Sequence, residues 1–129
     1  SAMGDYPAAL NRQSAAVRKI EEILGPERSE LIRPLRGLAQ TQTKLDQLAL
    51  AQSNYERALQ LSDRHLGKHS AISCAIQTNM TRLALQAHWT ERIPALRQAL
   101  KVCRDKLAEA SPRPEPALKD IAELLKITD

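Results

Sequence analysis

Apolar residues recur along this chain at spacings of three and four, the period that places side chains on one face of a helix. Val17, Ile20, Ile23 and Leu24 mark such a face, and Pro7 can open the helix that carries it. Gly25-Pro26 closes that helix, since Gly accepts the left-handed conformation after a helix and Pro cannot continue one. Ser29 is positioned to cap a second helix, with Leu31, Leu35, Leu38, Ala39 and Gln42 on one face and an irregular start imposed by Pro34. The polar turn Thr43-Lys44-Leu45-Asp46 follows it. A third helix is predicted from Gln47 to Leu66, facing inward with Leu48, Ala51, Tyr55, Ala58 and Leu59, and Gly67 stops it.

The second half repeats this grammar. Ser70 can cap a fourth helix, lined by Ile72, Ile76, Met80, Leu83 and Ala87, with a turn at His88-Trp89-Thr90. Thr90 can cap a fifth helix, with Pro94 early in it and Ile93, Leu96, Ala99, Leu100, Cys103 and Leu107 on its face. The proline-broken linker 111–116 leads to a short sixth helix from Ala117 to Ile127, with Leu118, Ile121, Ala122 and Leu125 on one side.

Composition agrees. The chain is 43% hydrophobic, with no Phe, one Trp and two Tyr, and is dominated by Ala, Leu and Ile. Ala and Leu head the helix-propensity scale, whereas the aromatic residues favoured in strands are scarce. An all-α fold of about six helices is expected, in a single domain over 5–129. Ser1-Ala2-Met3-Gly4 looks like a tag-cleavage scar.

Fixed-period similarity adds architecture. Leu24-Gly25 recurs as Leu66-Gly67, 42 residues on, and the segment 55–59 recurs as 96–100, 41 on. Leu35, Leu38, Ala39 and Gln42 match Leu118, Ile121, Ala122 and Leu125, 83 on, which is 41 plus 42. Between them, Ile76, Asn79, Met80 and Leu83 form the weakest copy, with Asn79 in an apolar slot. The division is a half-repeat 7–25, repeats 26–67 and 68–110, and a terminal helix 116–127. A helix pair cannot bury its apolar face alone, so such pairs stack.

Leu38-Ala39, Ala51, Tyr55 and Ala58-Leu59 resemble the core signature of tetratricopeptide repeats. The long period and the Leu66-Gly67-Lys68-His69 connector are similar to the kinesin light chain subtype. Departures are Asn79 in a core slot, Arg92 where a small residue is expected, and the extra prolines. A fainter similarity runs to the helical repeats at the C-terminus of SET- and MYND-containing lysine methyltransferases. The resemblance implies a right-handed stack of antiparallel helix pairs, an α-solenoid whose concave face is lined by the first helix of each pair. It implies a non-catalytic scaffold or adaptor that binds a peptide or protein. The residues carried over are Arg33, Arg36, Gln40 and Lys44 in the first repeat, and Gln77 and Thr81 in the second, or Thr78 and Arg82 if the register slips. Lys119, Glu123 and Lys126 follow on the last helix. This mostly basic, amide-bearing stripe suits acidic side chains, peptide carbonyls or a chain-end carboxylate. The alternatives are self-association within a longer solenoid, or a regulatory domain attached to an enzyme.

Chemistry is sparse. The net charge of +4 comes without a run of five basic residues or stacking aromatics, so no nucleic-acid partner is expected. No apolar stretch approaches a membrane span, no signal peptide is visible, and a cytoplasmic location is expected. His65 and His69 have metal-ligand spacing, but Gly67 between them interrupts the helix, and no metal or cofactor is expected. Cys74 and Cys103 read as two reduced, partly buried thiols. Glu21, Glu22, Glu27, Asp120 and Glu123 read as solvated helix faces. Trp89 packs between helices or serves as an exposed anchor.

Overall fold

The computed structural model describes residues 2–129, with side chains described from Asp5 onward. Among these residues all regular structure is helical: α1 (Ala2–Leu24), α2 (Ile32–Lys44), α3 (Leu48–Leu66), α4 (Ala71–Ala87), α5 (Ile93–Ala108) and α6 (Glu115–Ile127). The expected scar lies partly outside the described residues, at Ser1, and the backbone of α1 already begins at Ala2 rather than at Pro7. Pro7 falls inside the helix, where its missing N–H removes one helical hydrogen bond near the start.

Two compact units divide the chain, Ser1–His65 and Leu66–Asp129. In the first, α1 packs on α2. Its core includes Val17, Leu31, Ile32, Leu35, Leu38, Ala39, Ala51, Tyr55, Ala58 and Leu61, all buried. Ala39, Ala51 and Ala58 are 0% exposed, so small residues stand where the packing is tightest. Asn54 of α3 donates to the Gln42 side chain of α2 at 2.8 Å, which satisfies a buried amide oxygen. Arg57 of α3 pairs with Glu21 of α1 at 2.7 Å and donates to the Pro26 carbonyl at 3.2 Å. Arg64 pairs with Glu27 at 2.9 Å, and His65 meets the Glu27 carbonyl at 2.8 Å. Glu21, expected as solvated surface, is half-buried in its pair with Arg57, whereas Glu27 is exposed as expected and pairs with an exposed Arg64.

In the second unit α4, α5 and α6 pack mutually. A buried cluster joins Cys74, Leu100, Cys103, Leu107, Leu118, Ile121, Leu124 and Leu125, with Leu85 and Ala117 against it. Cys74 and Cys103 form a disulfide with Cα atoms 5.7 Å apart. This corrects the expectation of two reduced thiols. Sequence separation conceals that the two residues lie on facing turns of α4 and α5.

Helix ends show how local chemistry punctuates the chain. Ser70 accepts from the Ser73 N–H at 3.0 Å and so caps α4 as expected. Ser29 and Thr90 do not cap. Each instead opens a 3-10 turn, Ser29–Leu31 and Thr90–Arg92, that leads into the following α-helix. In both cases a proline follows within the next helix, Pro34 in α2 and Pro94 in α5. In the first of these turns the exposed Glu30 carboxyl is held below its usual range, first by its own backbone N–H and then by Arg28. Gly25, Asp46, Gly67 and His88 all have positive φ, at 91°, 61°, 102° and 60°. They follow one another at intervals of 21 residues. The next position in that series, Glu109, has φ −85°, so the series stops before the proline linker. Asp46 and His88 end α2 and α4 in the same way. The N–H of the following residue returns to the carbonyl five back, Gln47 to Gln42 at 2.8 Å and Trp89 to Ala84 at 2.9 Å.

Candidate functional site

α2 displays its polar face as a stripe. Arg33, Gln40 and Lys44 are exposed, and Arg36 between them is half-buried and engaged in an interaction of its own. Spacings of three, four and four place these four residues on one side of the helix, opposite Leu35, Leu38 and Ala39. The first unit thus presents three accessible polar groups of the four expected.

On α4 the expected residues divide differently. Thr81 is 0% exposed and its hydroxyl donates to the Gln77 carbonyl at 2.9 Å, so it serves the interior and cannot meet a partner. Thr78, the neighbour in the slipped register, is also buried and donates to the Cys74 carbonyl at 3.1 Å. Gln77 is half-buried. Arg82 is exposed and lies 3.7 Å from Asp120 of α6. Back-bonding lets a threonine hydroxyl sit in an apolar interior without an unmet donor, and period alone cannot distinguish that from a surface threonine.

Within the second unit, α4 and α6 enclose an open hollow of about 530 Å³ lined by Arg82, Leu85, Glu123, Leu124, Lys126 and Ile127. Leu85, Leu124 and Ile127 give it an apolar floor, and Arg82, Glu123 and Lys126 give it a charged rim. Ile127 is 66% exposed, so its apolar side chain is available at the hollow. Glu123 and Lys126 were expected on the polar stripe, and Arg82 only in the slipped register. Leu85 and Ile127 fell on neither the expected apolar faces nor the expected polar stripe. Lys119 is exposed on α6 but does not line the hollow.

α6 is held in place from α5. Arg97 donates to the Leu125 carbonyl at 2.6 Å and to the Thr128 hydroxyl at 3.3 Å, and pairs with Asp129 at 3.2 Å. An arginine at the C-terminal end of a helix satisfies carbonyls that have no partner within the helix. This anchor fixes the helix that supplies most of the hollow.

Trp89, half-buried beyond the end of α4, carries the Arg92 guanidinium 4.7 Å from its ring centroid. That geometry is a cation–π contact on the α4–α5 connection. Among the described residues no group of three or more His, Cys, Asp or Glu could hold a metal ion, and no helix is long and apolar enough to cross a membrane.

A family model described as tetratricopeptide repeat matches residues 1–64, and this match supports a tetratricopeptide-repeat domain. Repeats of this family are typically non-catalytic scaffolds for protein–protein interaction. No curated protein matches the chain.

Proposed function

We propose that this chain is a non-catalytic interaction module whose second unit receives a segment of a partner protein in the hollow between α4 and α6. The hollow itself carries the proposal: an apolar floor open to solvent beside convergent charges is the composition of a recognition surface. The tetratricopeptide match over residues 1–64 supports the class of function. Arg33, Gln40 and Lys44 on α2 provide a second polar contact surface in the first unit. We further propose repeats of 41–42 residues, like those of kinesin light chains, on the support of the left-handed positions at intervals of 21.

The partner segment is amphipathic, with apolar side chains for Leu85, Leu124 and Ile127 and a net acidic character for Arg82 and Lys126. A peptide array varying these two properties, followed by amide chemical-shift mapping on the intact chain, tests the proposal. Tight binders should be acidic and apolar together, and should shift resonances at Arg82, Leu85 and 123–127. Binders that shift only α2 would move the site to the first unit, and equal binding of basic peptides would remove the charge assignment.

A further inference from the structure

Both cysteines of the chain lie in the second unit, and the proposed partner contact uses neither. Cys74 on α4 and Cys103 on α5 are 1% and 2% exposed. Their disulfide belongs to the cluster that contains Leu100, Ile121 and Leu124. Leu124 is also part of the floor of the α4–α6 hollow, and Leu85, the floor residue from α4, packs against the same cluster. The cross-link and the hollow therefore share one body of packed side chains. Close-packed interiors transmit displacement, so loosening α4 from α5 changes the floor.

We infer that Cys74–Cys103 is a redox-controlled staple of the second unit, closed while the unit is folded and opened by a dithiol only when α4 parts from α5. Exchange requires a thiolate to reach a disulfide sulfur, and burial denies that access. Once exposed, one sulfur is attacked and a mixed disulfide forms. The other cysteine leaves as a thiolate and takes up a proton. The second thiol of the reductant then displaces the first cysteine. Two electrons have passed, the chain holds two thiols, and the dithiol has become a disulfide. Loss of a link between residues 29 apart returns freedom to the unfolded chain, so the open second unit becomes more populated. The first unit has no cysteine, so the link constrains no residue of it directly. Only the effect on partner binding rests on the function proposed above.

The intact chain supplies the test. After equilibration with oxidised glutathione, the intact mass should show no glutathione adduct, and iodoacetamide in denaturant should alkylate no cysteine before reduction and two after it; two alkylations without reductant, or glutathione adducts on the cysteines, would overturn the staple. Hydrogen exchange should then be compared for oxidised chain, reduced chain and the Cys74→Ala/Cys103→Ala variant. Exchange in peptides from α4, α5 and α6 should quicken by about tenfold or more on reduction, with α1–α3 peptides unchanged. The melting temperature should fall on the order of 10 °C. Unaltered exchange, or an equal rise in both units, would overturn the inference. Reduced wild-type chain keeps the test decisive if the double variant fails to fold. An acidic, apolar peptide from the array should bind the reduced chain more weakly. If it binds neither form while exchange still responds, the groove assignment fails and the staple stands.

Discussion

At the scale of single residues, the left-handed positions carry the sharpest consequences. Gly67 has φ 102°, and a Cβ built there meets nothing within 4 Å. Gly67→Val should therefore destabilise through backbone conformation rather than through a clash, by about 1–3 kcal/mol in chemical denaturation. His88 occupies the same region at φ 60° without glycine's freedom. His88→Gly should raise stability, by about 1 kcal/mol, because the left-handed cost of an L side chain disappears. No gain would mean that the His88 side chain contributes a contact of similar worth. Ala39 and Ala58 are 0% exposed. Enlarging either to Leu should overpack the interior and cost about 1–3 kcal/mol. Glu30 adds a small pH dependence. Its carboxyl is lowered in the folded chain, so what it contributes is present at neutral pH and is lost as pH falls through that lowered value.

Elements depend on their ends. The Ser70 side chain caps α4, and the Ser73 hydroxyl donates to the Gly67 carbonyl at 3.0 Å just before it. Ser70→Ala should cost about 1 kcal/mol and fray the first turn of α4, which amide exchange at Ser73 would report. Arg97 performs the corresponding task for the last turn of α6. Arg97→Ala should speed exchange near 125–128 and weaken peptide binding in the hollow, since Ile127 rides on that turn. Pro34 foreshadowed the irregular entry into α2, whereas the 3-10 entry into α5 was not expected. Ser29 and Thr90 have the chemistry of caps, but the backbone turns before either hydroxyl can reach an N–H of the helix.

For the molecule, charge decides which variants test binding cleanly. Arg36 is half-buried and engaged, so reversing Arg33 with Arg36 would disturb folding as well as recognition. Arg33→Glu with Lys44→Glu tests the α2 stripe, and Arg82→Glu with Lys126→Glu tests the hollow. Each exposed ion pair is worth about 0.2–1 kcal/mol. The second double variant should therefore weaken an acidic peptide by about one order of magnitude, chiefly through the on-rate, with melting little changed. Binding as tight as that of the native chain would exclude the rim charges from recognition.

Periodicity by itself determined the number of helices, the glycine stops and much of the core, because helix formation and burial of an apolar stripe are properties of neighbouring residues, but Ile23 and Leu24, on the predicted face of α1, are exposed. Ala39, Ala51, Tyr55 and Ala58 were legible as core for that reason. Tertiary structure alone decided three things. It turned Thr81 inward, because back-bonding to Gln77 removes the penalty of burying its hydroxyl. It left Leu85 and Ile127 lining an open hollow, because the helical period tells which residues share a face and not whether another element covers it. It joined Cys74 to Cys103, because the approach of two helix faces across 29 residues follows from packing α4 on α5 and from no local signal.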